Sequence, residues 1–265
     1  MEGLIERAVR SSFLAEVPEP ALASLLERSI VVDVPKSSVL YRSGDPPRLA
    51  LIVDGLVRVY LAEPAGTREV TVRYARRGDV MGVTLLGTGG PPLRVQLGVQ
   101  ALSSTRLLFF DVASVRALAR GDARVAGLLG DQASRDAQAL LAEVADVAFG
   151  TVRQRLARHL LDVATVARGG ESPIVHLTQQ ELADAVGTAR QVVTRALDDL
   201  RLEGILAPER GQVRLLDTER LFAEVEGLAS YGTRLPDPAD PSTQTRVPLP
   251  VGRSSSAPPD GARTG

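Results

Sequence analysis

Cysteine is absent from the 265 residues, which excludes disulfides, thiolate-bound metals, iron–sulfur clusters and cysteine nucleophiles together. Histidine occurs only at His159 and His176, too few for a multi-histidine metal centre. Both are read as packing or surface residues rather than haem ligands. No apolar run approaches the ~20 residues of a membrane span, and the first residues lack the basic-then-apolar order of a signal peptide. A soluble, cytoplasmic chain without membrane partners is expected. No cofactor fingerprint, metal cluster or nucleophile–base pair is visible, so catalytic residues, metal ligands and cofactors are all expected to be none, and the chain is not read as an enzyme. Neither sign of charge dominates. With 31 Lys+Arg against 32 Asp+Glu, the net charge of −1 neither supports nor excludes nucleic acid, and local placement must decide.

Apolar residues make up 44% of the chain, ample for a core, and the length suggests two domains or one large one at ~150 residues each. From Ile30 to Phe110 the sequence alternates and turns often. Val57–Leu61 and Val70–Tyr74 have the period-2 pattern of half-buried strands. Gly44-Asp45, Asp54-Gly55, Gly66 and Gly78-Asp79 fall between such runs. Many short strands with this punctuation indicate an antiparallel barrel or roll. Residues 4–28 read as short helices broken by Pro18 and Pro20. The fold class is therefore α+β, with a β-roll over residues 1–121.

Residues 122–149 contain no proline, and Ala126, Leu129, Ala133, Ala137, Leu140, Val144 and Val147 recur at helical spacing. They form one stripe on a helix of about 40 Å, interrupted by Arg135 and Asp136. Such a stripe can be hidden against its own roll or against a second copy. The alanine-rich seam favours the second copy, and the stripe is read as a dimerisation face. Phe149, Gly150 and Thr151 form a joint, where Gly breaks the helix and Thr151 caps a new one running to Arg168.

Residues 150–231 read as a second domain of mostly short helices. Thr178-Gln179-Gln180-Glu181 has capping-box spacing, and Leu182, Ala183 and Val186 supply the inward face of a short helix ended by Gly187. Thr188-Ala189-Arg190-Gln191 repeats the spacing and opens a second helix with Val193, Ala196, Leu197 and Leu200 inward. Two helices across a tight glycine turn make a helix-turn-helix. Gly204 stops the second helix, and Ile205–Ala207 with Gln212–Leu215 reads as a β-hairpin wing. Residues 232–265 hold seven of the 17 prolines and are read as a disordered tail.

The outward face suggests the use. Arg190, Gln191, Thr194 and Arg195 crowd the exposed amino end of the second helix, the part of a recognition helix that meets base edges. Arg pairs bidentately with guanine and Gln with adenine. Thr178, Gln179, Thr188 and Ala189 complete the expected DNA-contacting set, and the helix amino terminus favours phosphate. The plainer reading is a solvated face, since residues 151–231 carry 10 Arg against 12 Asp/Glu, and Gln191 could be spent on capping.

Residues 15–220 resemble the Crp–Fnr family of bacterial regulators, named for the cyclic-AMP receptor protein and the fumarate–nitrate reductase regulator. The roll motifs Val39-Leu40-Tyr41-Arg42-Ser43-Gly44-Asp45, Leu51–Val59 and Arg77-Gly78-Asp79-Val80-Met81-Gly82 carry the likeness. The most specific part is Leu177–Ala183 through Arg190–Arg195. The resemblance implies a sensor roll, a dimerisation helix and a winged helix-turn-helix. Its partners would be double-stranded DNA, a second copy of the chain, RNA polymerase and a small-molecule effector. Gln191 departs from the family's usual Glu, which changes the base it suits from cytosine to adenine.

The family's cyclic-nucleotide cassette has a Gly-Glu pair for ribose and an Arg-Ser pair for phosphate. Here Gly82 is followed by Val83, and Arg94 by Val95. The positions that offer Thr and Ser to the base correspond to Leu140 and Leu141. These six residues are the effector-pocket candidates, and weak or no cyclic-AMP binding is expected. An apolar or anionic ligand, or none, remains for the roll. A competing reading is a ligand-binding module whose helix-turn-helix contacts protein rather than DNA.

Overall fold

The computed structural model describes residues 2–64, 69–87, 95–164, 173–209 and 211–232. The tail reading from residue 233 onward, Gly66, Arg94 and the expected end of the Thr151-capped helix at Arg168 lie outside them.

Helices α1 (Glu2–Arg10) and α2 (Glu19–Glu27) precede eight strands: β1 (Ile30–Val34), β2 (Val39–Arg42), β3 (Leu49–Asp54), β4 (Leu56–Ala62), β5 (Glu69–Arg76), β6 (Val80–Met81), β7 (Gln96–Ala101) and β8 (Thr105–Phe110). They form two antiparallel four-stranded sheets, ordered β1-β8-β3-β6 and β2-β7-β4-β5. Strand β3 (Leu49-Ala50-Leu51-Ile52-Val53) is buried on both faces. Ile52 joins Val57, Ala75, Val99 and Leu107 between the sheets, while Leu49, Leu51 and Val53 pack under the helices. This explains why β3 reads as a continuous apolar run instead of an alternation. The tight turn at Gly55 has φ +107°, and a Cβ there would lie 2.5 Å from the Thr105 hydroxyl oxygen, so the turn demands glycine.

Pro20 does not break a helix. It sits in the first turn of α2, where the missing N–H costs nothing and the fixed φ suits the helix.

After α3 (Val112–Gly121), α4 (Ala123–Phe149) is the long helix, with the Asp122 carboxylate accepting from the Arg124 amide at 2.8 Å. The seven-residue stripe is not one uniform face. Leu129 and Ala133 pack with Leu128 and buried Val125 against the roll's own core. Ala126 and Ala137 are exposed, and so are Leu140, Val144 and Val147. Asp136 divides the two uses. It is buried, accepts from the Arg73 guanidinium of β5 at 2.6 Å, and clamps mid-helix to the roll.

Helix α5 (Val152–Ala164) starts a second body, followed by β9 (Ile174–Val175), α6 (Gln179–Val186), α7 (Arg190–Leu202), β10 (Leu206–Glu209), β11 (Gln212–Leu215) and α8 (Thr218–Gly232). The hairpin pairs Leu206 with Leu215 and Glu209 with Gln212. β9 adds a third strand beside β11, and α8 packs on α5. Leu156, Leu160, Leu182, Leu197, Leu200, Ile205 and Leu221 form the second core. That core extends into the roll: Leu56 belongs to it, and Tyr74 and Leu102 pack against it.

Candidate nucleic-acid interface

Two caps orient the short helices. The Thr178 hydroxyl accepts from the Glu181 amide at 3.2 Å while Glu181 accepts from the Thr178 amide at 2.7 Å, a closed capping box. Gly187 ends α6 in the left-handed region at φ +71°. The second expected cap is different. The N-cap of α7 is Ala189, with no side-chain cap, and Thr188 belongs to the end of α6, its amide bonding the Ala183 carbonyl at 3.0 Å. Glycine at 187 turns the chain so tightly that Thr188 is spent closing the first helix. Gln191 is thereby released from capping.

Val193, Ala196, Leu197 and Leu200 are buried, while Arg190, Gln191 and Arg195 project from the opposite side. Thr194 is half-buried and ties the two helices: its hydroxyl lies 3.0 Å from Gln179 Oε1 and 3.0 Å from the Arg190 carbonyl. Thr178 and Ala189 are exposed, and Gln179 and Thr188 half-buried, beside the same helix ends.

The arginines separate into two kinds. Arg153 bridges Glu203 at 2.6 Å and Glu224 at 2.6 Å, which pushes its already high pKa further up. Arg155 donates to the Gly150 carbonyl at 2.9 Å, and Arg158 pairs with Asp146 at 2.7 Å. Arg201, Arg214 and Arg220 each face an acid, Asp198, Glu209 and Glu203 respectively. Among the described arginines from 153 to 220, only Arg190 and Arg195 have side chains that make neither a hydrogen bond nor an ion pair. The net charge of −2 over residues 151–231 thus hides two uncommitted guanidinium groups on the exposed side of α7.

At the joint, Thr151 and Gln154 form a reciprocal cap, with contacts of 2.9 and 3.2 Å. Gly150 is extended at φ −77°, and Phe149 is 81% exposed.

The described effector candidates do not converge. Val83 is 4% exposed and packed in the roll core. Gly82 is left-handed at φ +90°, and a Cβ there would sit 1.9 Å from the Arg48 carbonyl oxygen. Leu140, Leu141 and Val95 face outward, at 42%, 69% and 36% exposure. A cleft of about 230 Å³ lies elsewhere, between β5, α4 and α5, lined by Tyr74, Glu143, Arg158, His159 and Asp162 among others. Spacing gave no signal for it, because its residues come from three separated segments.

The cyclic nucleotide-binding domain profile matches residues 31–122, and the Crp-like helix-turn-helix domain profile matches residues 154–223. The chain belongs to the Crp–Fnr family of transcriptional regulators. It is 27% identical over 221 residues to the CRP-like cAMP-activated global transcriptional regulator of Mycobacterium tuberculosis, covering 82% of this chain and 97% of that one. It is 28% identical over 198 residues to the transcriptional regulator LdrP of Thermus thermophilus, covering 71% and 93%. Among solved structures, TTHB099, a CRP-family regulator from Thermus thermophilus, superposes with a TM-score of 0.60 at 28% identity, covering 73% of this chain and 96% of that one. The Crp-like profile runs from α5 to residue 223, so β9 and the first turns of α8 fall within the matched unit. Among the described residues no helix is long and apolar enough to cross a membrane.

Proposed function

We propose that two copies of this chain pair through the outer half of α4 and place two α7 helices in successive major grooves of a pseudo-palindromic operator, with half-sites about one helical turn apart. The observation that carries this reading is the contrast among arginines. Arg190 and Arg195 remain uncommitted where a recognition helix meets base edges, while the other described arginines of the head are held within the protein. Arg190, Gln191 and Arg195 read bases. Gln191, with no capping duty, suits adenine. Thr178, Gln179, Thr188 and Ala189 flank them toward the phosphates, and Thr194 is held against Gln179 to set the angle of α7.

Exposed Leu140, Leu141, Val144 and Val147 on one stretch of α4 support pairing through that helix. Leu129 and Ala133, by contrast, serve the roll core. The joint at Phe149–Thr151 transmits the angle between rod and head, and an effector acts by favouring one arrangement over another. RNA polymerase is the expected further partner.

The relatives' names include cAMP activation, and here this chain parts from them. Val83 is folded into the core and has no acceptor for a ribose hydroxyl, while Leu140 and Leu141 offer the base no polar group. Leaving a buried polar group unmet costs about 1–3 kcal/mol. Titration calorimetry is expected to find no low-micromolar cyclic-AMP affinity.

Selection from random duplexes with purified chain tests the DNA reading. A two-fold motif whose affinity falls steeply with salt is the expected result. No enrichment, or an association indifferent to salt, would turn the reading toward a protein-contacting module.

A further inference from the structure

The cleft between β5, α4 and α5 lies at a junction where several buried polar atoms go without a hydrogen bond. Among the described residues, the buried side-chain atoms without a hydrogen bond are Arg58 Nε, Thr71 Oγ1, Arg155 Nε and His159 Nδ1, with Asp146 Oδ2 and Arg158 Nε held only by their mutual ion pair at 2.7 Å. All lie on β4, β5, the end of α4 or α5. Such atoms are scarce in folded proteins, and a cluster of them at one junction calls for an explanation. This junction is where the roll, the long helix and the head touch.

The carboxyl of Glu143 enters the cleft with no hydrogen bond or ion pair among the described residues. The cations around it are already engaged. From β5, Arg73 holds Asp136 at 2.6 Å and Arg76 has its own interaction. From α5, Arg158 faces Asp146 and Arg155 donates to the backbone at the joint. The remaining titratable neighbours are Asp146 on the same helix, Asp162 and His159 from α5, and Tyr74 from β5, with Arg58 of β4 behind the last two. His159 is 4% exposed, stacks edge-on to Tyr74 at 5.6 Å, and carries no charge near neutrality.

We infer that this junction is a proton-operated latch: a proton on Glu143 lets the head and the long helix close on β5, and loss of that proton loosens them. A charged Glu143 would be half-buried beside two other carboxyls, with the nearby Arg155 and Arg158 already engaged elsewhere. The cleft, about 230 Å³, falls below the several hundred Å³ usual for metabolite sites, which suits a proton better than a larger ligand. No described group of three or more metal-ligating side chains is present. Burial, and then the charge of Asp146, raise the Glu143 pKa to about 7, while burial lowers that of His159 to about 4. Glu143 therefore changes charge near neutral pH and His159 does not. The sign follows by linkage. The closed arrangement holds the proton more tightly than a solvated Glu143 does, so closure is favoured below about pH 7 and opposed above it.

The latch is a property of the contact between roll and head and stands apart from the reading of DNA, so its test needs none. Absence of cysteine allows clean labelling: Lys36→Cys on the roll and Leu202→Cys on the head, both exposed, carry a spin-label pair in a chain diluted into unlabelled copies. The ratio of short to long distances is expected to fall about tenfold from pH 6 to pH 8. Glu143→Gln is expected to stay closed at both. Should that variant not fold, Asp162→Asn removes a neighbouring charge and is expected to move the midpoint below that of the parent. A parent distribution unchanged between pH 6 and 8, a Gln variant that tracks the parent, or an unmoved Asn midpoint would overturn the latch.

Discussion

Helices α5 and α7 lie in the same core and carry arginines at similar density, yet they use them in opposite ways. Arg153, Arg155 and Arg158 of α5 turn inward, to Glu203 and Glu224, to the end of α4, and to Asp146. Arg190 and Arg195 of α7 turn outward with nothing to hold. A charge count over residues 151–231 merges the two sets and reports a mildly acidic region. What matters for an anionic partner is which cations the protein has left unspent. In a partly shielded site an ion pair removes a guanidinium from further use, since its donors are taken and its field is cancelled nearby.

The contrast can be attacked from either side. The largest effect is expected from α7: Arg190→Ala and Arg195→Ala should each weaken specific operator binding by about 1–3 kcal/mol. Their unfolding midpoints should stay within about 0.5 kcal/mol of the parent. Titration of the selected duplex together with chemical denaturation checks both halves, and a loss of stability without a loss of binding would reverse the assignment.

The next effect belongs to α5. His159 is buried and neutral, and burial lowers its pKa to about 4, so on acidification the unfolded chain takes up a proton that the folded chain refuses. Stability is therefore lost as pH falls from about 6.5 toward 4. Relative to a His159→Gln chain, the parent should lose about 2 kcal/mol between pH 6.5 and 4.5 in urea unfolding. Equal losses in the two chains would show that His159 does not titrate as argued.

Arg153→Ala sharpens the comparison with α7. It strands Glu224, leaves Glu203 only Arg220, and should destabilise the head by about 1–2 kcal/mol, leaving the operator affinity of folded protein unchanged. A fall in affinity at full folding would make Arg153 a reader after all. The smallest change is Thr178→Ala, which removes one side of the capping box and should cost about 1 kcal/mol of stability by the same denaturation assay.

Much of this was legible in the residue order. Strong local rules specify Thr178 with Glu181, Gly187, and the inward set Val193, Ala196, Leu197 and Leu200, and the structure shows each in its expected place. The strands from Ile30 to Phe110 form where the turns and apolar runs put them, but burial does not alternate along β4 and β5, where Arg58 and Thr71 are buried. Contacts between distant segments were not legible. Asp136 looked like a flaw in a stripe and is the partner of Arg73, sixty-three residues away. Leu129 and Ala133 share a period with Leu140 and Val144, but the roll reaches only the first pair, and periodicity cannot say how far a neighbour extends. Thr188 matched a cap by spacing, but the glycine turn had already assigned it to the preceding helix. Two-residue β9 is too short to carry a pattern of its own.

The central claim is that paired copies present Arg190 and Arg195 to two half-sites at groove spacing. Its most direct test is stoichiometric titration of the chain onto duplexes carrying the selected half-site twice, with centres ten or fifteen base pairs apart. The account expects two chains per duplex, bound tightly at ten base pairs and at least tenfold more weakly at fifteen. One chain per duplex, or equal affinity at both spacings, would contradict it.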